Sequence, residues 1–272
     1  MTSRRIAGAH GVQLHAIETG NPNGRPILFI HGFSQCSLAW SRQLGSDLAE
    51  TYRLVALDLR GHGRSDKPRE GYADSGTWAG DIDAVIRDLG LDHPILCGWS
   101  YGPLVTLDYV RHHGEDAIGG LVFAGGVTKL GTEEAMAVLT PEFLALVPGF
   151  FSSDIEDGVR SLDSLLRLCF AQAPAAEDLY LMLGYNAWVP PWVRQALLSR
   201  PLDNDDVLAG LQKPVLIAHG DLDAVVRPVA ADQHQARIAG ARVAILRGAG
   251  HACFWDDAPA FNQALRSFAD AL

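Results

Sequence analysis

The chain alternates short apolar runs with stretches whose apolar residues recur at helical spacing. Runs at 26–30, 53–57, 95–97, 121–124, 214–218 and 243–246 read as strands. Their apolar residues do not alternate with polar ones, which fits strands buried on both faces. Residues 6–9 and 12–17, joined around His10-Gly11, predict an opening hairpin. Helices are expected over about 38–50, 78–89, 104–112, 229–239 and 259–272. In the second of these, Ile82, Val85, Ile86 and Leu89 form one apolar stripe. Strand and helix in turn predict an α/β fold with a mostly parallel central sheet and helices on both faces.

The rhythm breaks between residues 127 and 207, where no clear strand is visible. Leu, Ala and Met recur at helical spacing in pieces such as 162–170 and 177–183, and Pro190-Pro191 interrupts them. This stretch is expected to be a small helical cap over the sheet edge. Residues 1–126 and 208–272 then form one core domain.

Composition narrows the function. The chain has 272 residues, 48% of them hydrophobic and 20% charged, which suits a globular domain with a large core. A formal charge of −10 gives nucleic acid and anionic membranes nothing to bind. The two arginines near the N-terminus lack the apolar stretch of a signal peptide, and no run is long enough to span a bilayer. A cytoplasmic protein is expected, with no nucleic-acid or membrane partner; its oligomeric state is not legible. Cys36, Cys97, Cys169 and Cys253 are scattered, without the spacing of a zinc site or a disulfide framework. Cys97 reads as core. Cys36 and Cys253 either line a pocket or simply pack.

The richest chemistry lies at Gly98-Trp99-Ser100-Tyr101-Gly102, between a predicted strand and a predicted helix. A serine between glycines at a sharp strand-to-helix turn projects its hydroxyl outward. A hydroxyl needs a base, and the base needs a group that fixes its tautomer. His219-Gly220-Asp221-Leu222-Asp223 follows one late strand, and Gly248-Ala249-Gly250-His251 follows the next. Both fall where open α/β sheets form their sites, beyond the carboxyl ends of strands. Asp221 and Asp223 are both candidates for the acid. The Gly-rich stretch 58–65 contains Arg60 and Arg64, but it lacks the Gly-Lys-Ser/Thr ending of a phosphate loop and reads as structural.

Together, His31-Gly32-Phe33, Asp58-x-Arg60-Gly61-His62-Gly63-x-Ser65, Gly98-x-Ser100-x-Gly102, His219-Gly220-x-x-Asp223 and Gly250-His251 resemble the α/β-hydrolase superfamily over nearly the whole chain outside the insertion. The resemblance implies a serine hydrolase of the esterase or lactonase type. Ser100 would be the nucleophile, His251 the general base and acid, and Asp223 rather than Asp221 the orienting acid. The oxyanion donors would be the backbone N–H groups of Tyr101 and Phe33, with Ser34 as the alternative if the loop is shifted. His31 and His219 would shape loops. Pro103, where many relatives have glycine, is compatible with a first helical turn.

The expected substrate is a small ester or lactone, with no cofactor and no metal. Trp188 and Trp192 are candidates for substrate binding, as walls of an apolar acyl pocket; the other reading is that these rings, with Phe150 and Phe151, pack a small lid. C–C bond hydrolysis and peracid formation use the same triad. A non-catalytic ligand-binding protein on this scaffold is the reading from a different class.

Overall fold

The computed structural model describes residues 1–272. Ten strands form: β1 Thr2–Ala7, β2 Gln13–Gly20, β3 Pro26–Ile30, β4 Arg53–Asp58, β5 Ile95–Trp99, β6 Gly120–Ala124, β7 Lys129–Leu130, β8 Leu202–Asp203, β9 Val215–Gly220 and β10 Arg242–Leu246. Eight of them make one sheet in the order β1-β2-β4-β3-β5-β6-β9-β10. The β1–β2 and β2–β4 pairings are antiparallel, and every later pairing is parallel. The opening hairpin turns through Ala9–Gly11, where His10 takes a positive φ of 57°.

The central strands β3, β5 and β6 are buried at every residue, as their unbroken apolar runs require. The edge strand β10 is partly open, and its Ile245 reaches solvent. Helices Ser75–Asp88 and Gly102–His113 pack together in one layer, while Ala258–Ala269 packs against the short helices after β3. No helix is long and apolar enough to cross a membrane.

Two expectations change. The single helix expected over 38–50 is three short pieces: Ser37–Trp40, Ser41–Leu44 and Leu48–Thr51. Gly45-Ser46 breaks it, because the Ser46 hydroxyl donates to the Gln43 carbonyl and accepts from the Leu48 N–H. The segment after β6 is mainly helical, but it also contains a strand pair. β7 and β8 join antiparallel, Lys129 opposite Asp203 and Leu130 opposite Leu202. Runs of two residues are too short to leave a periodic signal. Five helices, Glu133–Val138, Pro141–Phe150, Ile155–Cys169, Ala176–Ala187 and Pro191–Leu198, lie between the two strands. Thr132, Thr140 and Asp154 cap three of them with side-chain oxygens. Their buried faces join the core of the sheet in one continuous apolar cluster.

Candidate active site

Ser100 follows β5 directly and has a φ of 57°, a strained value for a residue with a Cβ. The sheet sustains it: the Ser100 N–H donates to Ala124 O at 3.0 Å, and its carbonyl accepts from Val127 N at 3.0 Å. The flanking glycines permit the close approach. A Cβ on Gly98 would sit 2.6 Å from Pro103 N, and one on Gly102 would sit 2.5 Å from Ile30 O. Pro103 falls in the first turn of its helix, where a missing N–H costs nothing.

A second loop leaves β3, the strand beside β5. His31 fixes it. Its Nδ1–H donates to Gly32 O at 2.8 Å, and its Nε2 accepts from Leu59 N–H at 3.0 Å. Those two bonds specify one neutral tautomer, and complete burial lowers the pKa to about 4. Ser34, three residues on, also takes a positive φ of 60° and turns the chain. The backbone N–H groups of Phe33 and Tyr101 donate to no carbonyl or side chain of the protein, and both residues line one cavity with Ser100.

The third and fourth loops follow β9 and β10. Asp223 Oδ1 accepts from the N–H groups of Val225 and Val226, each at 2.8 Å, and Oδ2 lies 2.8 Å from His251 Nδ1. Burial alone would raise the Asp223 pKa, but His251 and His219 outweigh it and hold the carboxyl below its ordinary value. With Nδ1 committed to Asp223, the ring nitrogen of His251 left free is Nε2. Trp99 steadies this loop by donating from Nε1 to the His251 carbonyl at 3.1 Å. Asp256 does the same from the other side, accepting from Gly250 N at 2.7 Å and Ala171 N at 2.8 Å. Asp221 points elsewhere: it is exposed and accepts from Gly248 N at 2.6 Å.

Ser100 and His251 line the same narrow cavity at the carboxyl ends of β3, β5, β9 and β10. Its walls are mostly apolar. Phe143, Leu165 and Leu198 come from the helical segment, and Val225 and Val226 from the loop that carries Asp223. The cysteine in the wall is Cys169, not Cys36 or Cys253; all four thiols are buried and free.

Trp188 and Trp192 are not part of this wall. Trp188 is 57% exposed, with Lys67 Nζ 4.9 Å from the ring centre. The Trp192 ring lies under the Arg69 guanidinium at 3.6 Å. Both rings meet cations of the loop after β4 rather than the cavity, a cation–π packing role. Of the expected aromatic group, Phe150 comes nearest: it packs on Phe33 and Phe143, with ring centres 5.3 and 6.0 Å apart.

Gly125 was not legible as a site residue. It has a φ of +50°, and a Cβ there would lie 2.9 Å from His251 O, 3.2 Å from His251 Nδ1 and 3.4 Å from Asp223 Oδ2. The available signal was a Gly-Gly pair directly after a buried strand at the site-forming edge.

A family model described as the Alpha/beta hydrolase family matches residues 27–264. The chain is similar to the solved structure of an esterase from Rhodococcus sp., with 36% identity and a TM-score of 0.93 over 100% of both chains. It is also similar to an esterase from Exiguobacterium antarcticum, with 26% identity and a TM-score of 0.86 over 99% of this chain and 100% of that one. A non-heme haloperoxidase of Rhodococcus erythropolis is 28% identical over 288 residues, covering 98% of this chain and 99% of the relative.

Proposed function

The chain belongs to the alpha/beta hydrolase family, and on that premise we propose that it cleaves carboxylic esters or lactones through an acyl-serine intermediate. One observation carries the reading. A histidine bonded through Nδ1 to a buried carboxylate opens onto the same apolar cavity as a strained serine and two unpaired backbone N–H groups.

In this reading Ser100 Oγ attacks the substrate carbonyl carbon while His251 Nε2 takes the hydroxyl proton. The carbonyl oxygen gains negative charge and accepts from the N–H groups of Phe33 and Tyr101. Losing one such donor costs on the order of 10²–10³ in rate. The C–O bond to the leaving alcohol breaks, and the imidazolium returns its proton to that oxygen. Water then attacks the acyl carbon, giving its proton to Nε2, and the acid departs as Ser100 recovers its hydrogen. Asp223 stays ionised throughout and stabilises the imidazolium. The relatives named esterases support the ester substrate class. A lactone demands the same bond changes, with alcohol and acid released as one molecule.

The test is hydrolysis of short-chain p-nitrophenyl esters and of a small lactone panel. Ser100→Ala and His251→Ala should each lose turnover by about 10³-fold or more, and a rapid quench of wild type should trap an acyl group on Ser100. Undiminished turnover in Ser100→Ala would reject the reading.

A further inference from the structure

Asp223 has two imidazole neighbours. His251 Nδ1 lies 2.8 Å from its Oδ2, and His219 Nε2 lies 3.0 Å from the same oxygen. His219 is the penultimate residue of β9, just before Gly220, and is wholly buried. Its Nε2 is also 3.0 Å from the Val226 carbonyl, while its Nδ1 is buried without a partner. Two acceptors facing one ring nitrogen require a proton there, and a second proton on Nδ1 would have no acceptor. Geometry therefore places a proton on Nε2, which donates to Val226 O, while Asp223 Oδ2 lies 3.0 Å from the same nitrogen and raises the His219 pKa against the effect of burial.

We propose that His219 is a positioning residue for the triad, its Nε2–H drawing charge from Asp223 Oδ2 and so setting how strongly that oxygen holds a proton on His251. This rests on the serine-hydrolase reading above. The two N–H groups of Val225 and Val226 fix Oδ1, so the carboxylate cannot rotate away from the competition at Oδ2. A carboxylate sharing one oxygen between two imidazoles pulls less on each. His219 thereby loosens the hold of Oδ2 on the Nδ1 proton of His251. The titratable groups facing His219 are Asp223 on its own loop, His251 beyond β10, and Asp232 and His234 on helix Val229–Arg237. His234 stays neutral beside it, since burial lowers its pKa to about 3, so Asp223 dominates this environment.

The experiment compares kcat/KM against pH for wild type, His219→Phe and His219→Gln on one p-nitrophenyl ester. Phe keeps the ring volume and removes the donor; Gln can return an N–H to the Nε2 position. The acid limb of His219→Phe should move to higher pH by about half a unit to one unit, and His219→Gln should bring it back toward wild type. An unmoved limb in a folded His219→Phe, alongside a lower Tm, would reduce His219 to a packing residue and overturn the proposal. If His219→Phe does not fold, nitrogen-15 spectra of wild type labelled at histidine decide, with His219→Gln assigning the resonance. An Nε2–H tautomer at His219 supports the proposal, and an Nδ1–H tautomer overturns it. The serine-hydrolase reading fails differently, through activity that survives in Ser100→Ala.

Discussion

Arg200 and Asp108, 92 residues apart in the chain, meet as a buried ion pair with 2.7 Å between Nη2 and Oδ2. The same guanidinium donates to the Tyr101 hydroxyl at 3.2 Å, and that hydroxyl donates to Leu197 O at 3.3 Å. Tyr101 therefore joins helix Gly102–His113 to helix Pro191–Leu198, whose Leu198 forms part of the cavity wall. Asp108 Oδ1 has no partner, and burial pushes its carboxyl up to about 6 despite the arginine. The folded chain thus holds this proton to higher pH than the unfolded chain, whose carboxyl titrates near 3.8. The share of stability due to Asp108 is present below about pH 4 and is lost as pH rises to about 6.

Replacing Arg200 with Met leaves that carboxylate buried and alone. The expected loss is about 3–5 kcal/mol at pH 8. At pH 5 Asp108 is protonated and carries no charge to strand, so the loss should be smaller. Urea unfolding of wild type and Arg200→Met at the two pH values measures the difference. An equal loss at both would mean that the carboxylate does not titrate in this range.

His31 makes a second pH prediction of opposite sign. Its folded pKa, about 4, lies below the ordinary 6.5. The unfolded chain therefore binds its proton first, and stability falls as pH drops from 6.5 through 4. For a fully buried ring this share is about 3 kcal/mol. His31→Asn retains a donor toward Gly32 O but has no such titration. The stability gap between wild type and His31→Asn should narrow by about that amount between pH 6.5 and 4. A gap that stays constant would show that His31 is equally neutral in both states.

Gly125→Ala tests how closely the acid and base are packed. The new Cβ would press on the carbonyl and Nδ1 of His251, at 2.9 and 3.2 Å, from a backbone with a φ of +50°. The left-handed conformation alone costs roughly 1–2 kcal/mol. Displacing the imidazole should in addition lower kcat by about tenfold or more with KM little changed, because catalysis depends on this geometry and binding does not. Steady-state kinetics and a melting curve separate the two effects. Lower stability with full kcat would mean that His251 moves together with its neighbours.

The residues proposed to carry the chemistry leave short sequence signatures because local backbone rules govern them. Ser100 needs glycines on both sides of a strand-to-helix turn, and Asp223 and His251 must follow the carboxyl ends of strands, so each leaves a short signature. The fully buried β3, β5 and β6 follow from unbroken apolar runs in the same way. The cavity wall has no such signature. Phe143, Leu165 and Leu198 lie on three different helices, and which side of each faces Ser100 is decided by packing between distant segments. Trp188 shows the difficulty: it is the C-cap of Ala176–Ala187, a helix that contributes no residue to the wall, and its ring is exposed. His219 carried a signature for only part of what it touches. The His-Gly pair marked a loop, and only coordinates reveal that its Nε2 meets Asp223.

The position of the wall yields the last prediction. Phe143 closes the cavity from helix Pro141–Phe150 and is buried against Phe150, so Phe143→Ala would open space for several methylene groups on the substrate side. Each added methylene that finds apolar contact is worth about 0.8 kcal/mol. The kcat/KM for p-nitrophenyl octanoate relative to the butyrate should therefore rise by roughly tenfold or more. Trp188→Ala removes a ring that faces solvent and Lys67, and should leave that ratio where it is in wild type. A chain-length series on the three proteins decides. If Trp188→Ala changes the preference and Phe143→Ala does not, the acyl chain runs past the outer tryptophan and not into the cavity beneath Phe143.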